Sequence, residues 1–328
     1  MKEKVLNMLK ENKKGFISGQ KLSEILGVSR TAVWKVINHL RDEGYDIESV
    51  SRKGYRLKVS PDILTQGELN RLLNTNIIGN KIIHFDSIDS TNTYAKELAS
   101  RQEKAGTVII AEEQTAGKGR LGRNWTSPKG KGIWMSLILK PDIDPTDAAK
   151  ITQIGAAAVC EAIRDMGIEA YVKWPNDIIL NNKKVCGILT EMSGELNTIN
   201  YIVMGIGINA NIDSTEFPDD IRKIATSLKE YHREEIDRKH LVASILNRFE
   251  DLYKELIDEN SIKRSIKICK DSSILLGKQV RIISRHKEEL GKAIDITENG
   301  ELIIEKENGE VEKVISGEIS VRGINGYV

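Results

Sequence analysis

A chain of 328 residues, 40% hydrophobic and 30% charged, is long enough for two or three domains with sizeable cores. No run approaches the ~20 apolar residues of a membrane span, and the start, MKEKVLNMLKENKK, has no apolar segment with a cleavage site, so a cytoplasmic protein is expected. Cys160, Cys186 and Cys269 lie far apart, with no CxxC and no Cys/His cluster, which argues against a disulfide framework and a structural zinc site.

The net charge of +1 hides an asymmetry. Residues 1–60 carry 13 Lys/Arg against 7 Asp/Glu, and residues 61–328 carry 36 against 41. A basic head on a slightly acidic body is what a head that meets a polyanion requires. Val5, Leu6 and Leu9 give a first apolar helical face, with Phe16 and Ile17 at its exit. Leu22, Ile25 and Leu26 belong to a second helix ended by Gly27. Ser29 is placed to cap a third helix whose inward positions are Val33, Val36, Ile37 and Leu40. Its other face shows Arg30, Thr31, Trp34, Lys35 and Asn38. Two helices around a Gly-bearing turn, then two short strands about SRKG, read as a winged helix with Arg52 and Lys53 at the wing tip. Ser29, Arg30, Thr31, Trp34, Lys35, Arg52 and Lys53 are the candidate DNA contacts. Arg30, Thr31 and Lys35 are placed for base edges and the wing cations for phosphate. A three-helix protein-interaction module is the plainer alternative; cap, turn, basic face and basic wing together favour DNA.

After Pro61, Thr65-x-x-Glu68 reads as a capping box opening a helix through Leu69, Leu72 and Leu73. Strands are expected at 82–86, 107–113, 133–140, 171–174, 185–192 and 199–209, and helices at 91–100, 146–166 and 240–257. Several strands follow one another with no helix between, so the class is α+β with a mixed or antiparallel sheet. From about 274 short alternating strands take over (VRII, KAIDI, ELIIE, VEKVI, EISVR). Asn299-Gly300 and Asn308-Gly309 stand between them as two-residue hairpin turns, and a small antiparallel barrel is the natural packing. That tail offers no obvious chemistry and reads as a docking or stabilising module. The division is 1–60, 61–273 and 274–328.

The chemistry therefore falls to the middle. Between two strands lies QTAGKGRLGRNWTSPKGKG, where Gly117, Gly119 and Gly122 spell GxGxxG. No helix follows, so no helix N-terminus receives a pyrophosphate, and no GxxxxGK[ST] is present. What remains is a Gly-rich loop with Lys118, Arg120, Arg123 and Trp125, suited to close over a carboxylate, a phosphate or both. Ser90, Thr91 and Asn92 collect polar groups at a strand end and helix start, where simple N-capping is the alternative. Lys173-Trp174-Pro175-Asn176-Asp177 ends another strand in a fixed turn, and Lys184, eight residues after Asn176, can point back to the same mouth. Asn176 and Asp177 as turn residues and Lys184 as a solvated charge are the plain readings there. His84 reads as a packed side chain rather than a base.

Taken together, STN, QTAGKGRLGR, KWPND, the lysine at a strand start and GIGIN resemble the biotin–protein ligases, specifically the bifunctional class that doubles as the biotin operon repressor, over nearly the whole chain. The resemblance implies a winged helix, a mixed-sheet ligase domain and a C-terminal SH3-like barrel. It implies a two-step reaction, in which biotin and ATP give biotinyl-5′-AMP and pyrophosphate, and a carrier-protein lysine then takes the biotin and releases AMP. Ser90, Thr91, Asn92 and Gln114 resemble the biotin-binding polar groups. Lys118, Gly119 and Arg120 resemble the closing loop, Trp125 the aromatic over the intermediate, and Lys184 the lysine that holds carboxylate and phosphate. Lys184, Arg120 and Lys118 are thus the catalytic candidates, and Asn176, Asp177 and Asn209 the nucleotide-side residues. Mg²⁺ is expected with ATP, with no protein-only metal cage. The implied partners are the biotin carboxyl carrier protein of acetyl-CoA carboxylase, the operator of biotin-synthesis genes, and a second copy of the chain on ligand binding, with no membrane. Many members have arginines where this chain has Lys118 and Leu121. A lipoate–protein ligase would share the catalytic architecture without a winged helix, and a non-catalytic sensor would discard Lys184 or the loop cations.

Overall fold

The computed structural model describes residues 1–12, 15–284, 287–317, 319–324 and 326–328. They form two compact units, Met1–Ile63 and Leu64–Val328.

In the smaller unit, α1 (Lys2–Glu11), α2 (Gly19–Leu26) and α3 (Arg30–Asp42) enclose one core with a hairpin of β1 (Asp46–Val50) and β2 (Gly54–Val59). Local chemistry sets the helix limits. Ser18 Oγ accepts from the Lys21 N–H at the start of α2, Gly27 ends it at φ 65°, and Ser29 Oγ accepts from the Ala32 N–H to start α3. Val33, Val36, Ile37 and Leu40 of α3 are buried as their spacing requires, each such side chain contributing about 2 kcal/mol. Ile25 lies in α2 as expected but is 58% exposed, and the helix is anchored through Leu22. Ile17 pairs with Tyr55 in a single antiparallel bridge beside the wing.

The larger unit opens with α4 (Gln66–Leu69), a single turn. The capping box does not form. Thr65 makes no side-chain cap, and Glu68 is buried toward Lys239 at 3.3 Å instead. Beyond the turn the chain bends at 76–79, where the Glu250 carboxylate accepts the backbone N–H groups of Asn76, Ile77 and Ile78 at 2.6, 2.9 and 2.7 Å. Then follow β3 (Ile82–Phe85), α5 (Thr91–Ser100), β4 (Val108–Ala111), β5 (Ile133–Leu139), α6 (Ala148–Arg164), β6 (Tyr171–Lys173), β7 (Asp177–Leu180), β8 (Lys183–Glu195) and β9 (Thr198–Ile208). The short helices α7 (Asp219–Arg222) and α8 (Leu228–His232) lead to the long α9 (Arg238–Glu259) and to α10 (Lys263–Asp271). The seven strands order β3-β4-β5-β9-β8-β7-β6; β3 and β4 are parallel and the remaining pairs antiparallel, as the strand succession requires. β7 and α10 were not foreseen in the sequence. DIIL follows KWPND so closely that it merges into the turn, and KRSIKICKD hides its buried face (Ser265, Ile266, Cys269) among charges.

The last five strands, β10 (Gln279–Ile283), β11 (Glu288–Ile296), β12 (Leu302–Lys306), β13 (Val311–Val314) and β14 (Ser320–Gly323), form an antiparallel sheet ordered β13-β12-β11-β10-β14. Glu318, the first residue of the expected strand EISVR, lies outside the described residues. This sheet shares one hydrophobic core with the seven-stranded sheet and with α6, α9 and α10. The two Asn-Gly loops are longer than two residues. Thr297 N–H bonds Glu301 O across the first and Lys306 N–H bonds Glu310 O across the second, and only the glycines, Gly300 and Gly309, take positive φ. A two-residue turn of the primed type needs positive φ at Asn as well. Cys160 on α6, Cys186 on β8 and Cys269 on α10 are free and buried, and burial pushes each thiol upward. Among the described residues no helix is long and apolar enough to cross a membrane.

Candidate functional site

One cavity of about 880 Å³ opens in the larger unit. The alternation of β9 lays Gly205, Gly207 and Asn209 along its floor while Met204 and Ile208 enter the core. Both glycines are needed there. A Cβ on Gly205 would stand 2.1 Å from Asn92 Oδ1, and one on Gly207 would stand 2.7 Å from Trp125 Nε1.

At one end the start of α5 meets the base of the Gly-rich loop in a closed set of hydrogen bonds. Thr91 donates through N–H and Oγ1 to Gln114 Oε1 at 2.9 and 3.0 Å, and Gln114 Nε2 donates to Ser127 Oγ at 3.0 Å. Ser136 Oγ, on β5, lies 2.7 Å from Thr91 Oγ1 and donates to Asn92 Oδ1 at 2.6 Å. Asn92 Nδ2 donates to Glu191 Oε2 at 2.9 Å; Lys96 holds the other oxygen at 2.6 Å. Ser90 caps α5 through the Thr93 N–H at 3.4 Å and also lines the cavity, so capping and exposure to the site coexist.

The loop between β4 and β5 crosses above. Lys118 Nζ donates to Thr93 Oγ1 at 3.2 Å. Arg120 donates to Asn176 Oδ1 at 2.9 Å and to the carbonyls of Ile319 at 3.1 Å and Gly317, which ties the loop to β7 and to the tail. Leu121, at φ 56°, is 58% exposed at the rim. Trp125 lies over Gly207, its Nε1 without a hydrogen-bond partner among the described residues, and the Lys184 ammonium sits 5.1 Å from its ring centroid.

At the far end the turn from β6 to β7, with a cis Trp174–Pro175 peptide, delivers Asn176 and Asp177. Trp174 is buried and donates to Gly300 O at 2.9 Å. Asn176 Nδ2 donates to Ile188 O at 2.8 Å. Asp177 pairs with Lys184 Nζ at 2.6 Å and accepts from Tyr327 Oη. Burial opposes its charge, but Lys184, Lys173 and the hydrogen bonds from Lys184 and Tyr327 outweigh burial and hold the carboxyl below its ordinary range. The Lys173 ammonium is pushed down to about 7, by burial first and then by Lys184, Arg322 and Arg123, against the pull of Asp177. Asn209 Nδ2 donates to Thr226 O at 3.0 Å.

All twelve ligase-site residues picked from the sequence therefore line one cavity: Ser90, Thr91, Asn92 and Gln114 near α5, Lys118, Gly119, Arg120 and Trp125 on the loop, and Asn176, Asp177, Lys184 and Asn209 at the far end. The tail, expected as a docking or stabilising module, reaches this cavity. Ile319, Ser320, Arg322 and Tyr327 line the same cavity, as do Phe217, Ile221 and Ile224. The sequence signal for the tail residues is faint, because nothing around Tyr327, four residues beyond β14, announces a partner 150 positions earlier.

In the smaller unit Ser29, Arg30, Thr31, Trp34 and Lys35 are exposed along the start of α3, Trp34 by 53%, and Arg52 and Lys53 are exposed at the wing tip. Arg56, missed in the sequence, packs its guanidinium 4.8 Å from the Phe16 ring centroid and pairs with Glu48 at 2.6 Å, bracing the wing.

Residues 84–209 match the Biotin/lipoate A/B protein ligase family, residues 2–56 an HTH domain and residues 275–322 the Biotin protein ligase C terminal domain. The chain is 43% identical to the bifunctional ligase/repressor BirA of Bacillus spizizenii over 93% of its length and 94% of the relative's. It is 31% identical to the Escherichia coli protein of the same description, over 94% and 93%. The biotin protein ligase from Aquifex aeolicus, solved in complex with biotin and ATP, superposes with a TM-score of 0.65 at 30% identity, covering 74% of this chain and 99% of that one. With these three family matches in order along one chain and this identity over nearly its whole length, this chain belongs to the bifunctional biotin ligase/repressor family.

Proposed function

We propose that the cavity of the larger unit joins biotin to a carrier-protein lysine at the expense of ATP, and that the winged helix makes the same chain a biotin-responsive repressor. The observation that carries this reading is the arrangement inside the one cavity. A neutral hydrogen-bonding cluster at α5 faces, across an aromatic ring and a floor without side chains, a cationic end built on Lys184, Asp177 and Arg120. A ligand with a polar head, an apolar body and a carboxylate fits that polarity.

In this reading Ser90, Thr91, Asn92 and Gln114 take the polar head of biotin, and Trp125 covers its body. Lys184 draws the carboxylate toward the α-phosphate, with Lys118, Gly119 and Arg120 closing above. Asn176, Asp177 and Asn209 face the nucleotide. One carboxylate oxygen attacks the α-phosphorus, the bond to pyrophosphate breaks, and biotinyl-5′-AMP forms. The carrier amine then attacks the acyl carbon, loses a proton, and AMP leaves. The first step brings two anions together, so positioning and cations lower its barrier more than any nucleophilic side chain would. Mg²⁺ travels with the nucleotide as part of that substrate; among the described residues no three His, Cys, Asp or Glu side chains converge to hold a metal.

The division of labour follows 1–60 for DNA, 61–273 for ligation and 274–328 for completing the ligase cavity, in a cytoplasmic protein. The acceptor is the biotin carboxyl carrier protein of acetyl-CoA carboxylase and the target is the operator of biotin-synthesis genes. Biotinyl-5′-AMP acts as corepressor by pairing two chains, since one winged helix reads too short a site alone. ATP–pyrophosphate exchange that depends on biotin and not on lipoate tests the ligase. Operator affinity in the presence of biotin plus ATP tests the repressor, with an expected rise of about 5–150-fold accompanied by dimerisation in sedimentation. Exchange driven by lipoate, or operator affinity indifferent to the adenylate, would overturn the corresponding half.

A further inference from the structure

Tyr327 belongs to none of the ligase motifs, yet it reaches the most charged point of the cavity. Its hydroxyl donates to Asp177 Oδ2 while Lys184 Nζ holds Oδ1 at 2.6 Å. The carboxylate is thus engaged on both oxygens, Oδ1 by the charge of Lys184 without a hydrogen bond of good geometry, and Oδ2 by the hydrogen bond from the tail. The face of the same ring lies against the Lys173 ammonium, 3.4 Å from Nζ to the ring centroid. One aromatic side chain therefore serves an anion with its edge and a buried cation with its face. The residues that deliver it are pressed home: an added Cβ on Gly323 would stand 2.2 Å from the carbonyl carbon of Val328, so 326–328 return directly over the end of β14. Burial first, and Asp177 second, keep the phenol neutral, so it acts as a donor.

We propose that Tyr327 is a positioning residue for the ligase reaction. It acts by fixing the Asp177 carboxylate and, through it, the Lys184 ammonium where carboxylate and phosphate meet. The proposal rests on the ligase reading above. Without the hydroxyl, Asp177 Oδ2 has lost its donor, the carboxylate turns more freely, and Lys184 follows it away from the reacting groups. The polar cluster that takes biotin's head lies at the other end of the cavity and is untouched.

Tyr327→Phe keeps the ring over Lys173 and removes only the donor; Tyr327→Leu removes both. In ATP–pyrophosphate exchange by the full-length protein, Y327F should lower kcat about tenfold, the effect of one hydrogen bond to an ionised group. The KM for biotin should stay within about twofold while the unfolding temperature falls by about a few degrees, as for any buried donor removed, and Y327L should lower kcat further. Exchange by Y327F at the unaltered rate would overturn the proposal. So would KM for biotin and for ATP rising together as the unfolding temperature falls, which is how loosening of the whole unit would read. Absence of biotin-dependent exchange in the unaltered protein would overturn the ligase reading and this proposal with it, whereas exchange that is normal in the parent and in Y327F overturns this proposal alone.

Discussion

Gly205→Ala tests the packing at the end of the cavity proposed to take biotin's polar head. The new Cβ would lie 2.1 Å from Asn92 Oδ1 and 3.0 Å from Nδ2, so the amide has to leave. It leaves three hydrogen bonds behind, from Ser136 Oγ and to Glu191 and Leu189 O, at a site where Asn92 is 5% exposed. Ser136 falls back on Thr91 Oγ1, 2.7 Å away, and Glu191 keeps Lys96, so the groups stranded are chiefly those of the amide itself. At about 1–3 kcal/mol for each buried polar group left unsatisfied, G205A should lose roughly 2–4 kcal/mol. Asn92→Ala deletes the obstructing amide and should cost roughly 1–2 kcal/mol by the same reckoning. The double variant should then be no less stable than N92A, a coupling of about 2 kcal/mol against additivity. Urea unfolding of the four proteins measures the cycle, and biotin titration should show all three variants weakened. Costs that simply add in the double variant would refute the collision, and biotin binding unchanged in G205A would refute the place given to Asn92.

Arg120→Gly releases the loop from Asn176 and from the carbonyls of Gly317 and Ile319, and should let the mixed anhydride escape. Labelling of bulk albumin should rise at equal carrier labelling, and no rise would count against the loop as a barrier to release. Glu112 accepts from Leu64 N–H at 2.9 Å and Arg238 at 2.9 Å and meets His84 at 3.0 Å. Burial opposes its charge, but these partners hold the carboxyl below its ordinary 4.5. A depressed carboxyl stabilises the fold fully above pH 4.5 and loses that contribution as pH falls through its lower folded value. Glu112→Gln should therefore cost about 3 kcal/mol at neutral pH, and the gap to the parent should narrow below pH 4.5; a constant gap down to pH 3 would contradict the ion-pair network.

Most of the site was legible in the sequence because its chemistry comes in contiguous words. QTAGKGRLGR, KWPND and GIGIN each set several cavity groups on one stretch of chain, and strand alternation then decides which residues face inward. Helix caps were legible for the same local reason at Ser29 and Ser90, whose hydroxyls need only the next turn. Thr65 failed as a cap because its would-be partner Glu68 found Lys239, 171 residues away. Tyr327 and Arg322 were missed on the same ground, since their meaning depends on where the tail packs rather than on any neighbour in sequence. The Asn-Gly pairs were placed in the right loops and given the wrong geometry, because the flanking hydrogen bonds, and not the dipeptide alone, set the loop length.

The three buried thiols make the ligase unit its own clock. Cys160, Cys186 and Cys269 are all the cysteines the chain has, and all lie in the core beneath the large sheet. A buried, protonated thiol is a poor nucleophile, so a thiol reagent waits for the core to open. The rate of modification then counts openings of that unit directly, and falls when a ligand holds it shut. The winged helix contributes no thiol, so it can melt or bind DNA without adding to the signal. A cysteine placed at Leu196, 95% exposed at the tip of the β8–β9 hairpin, would by contrast react at once, giving a site for a dye while the interior remains unlabelled.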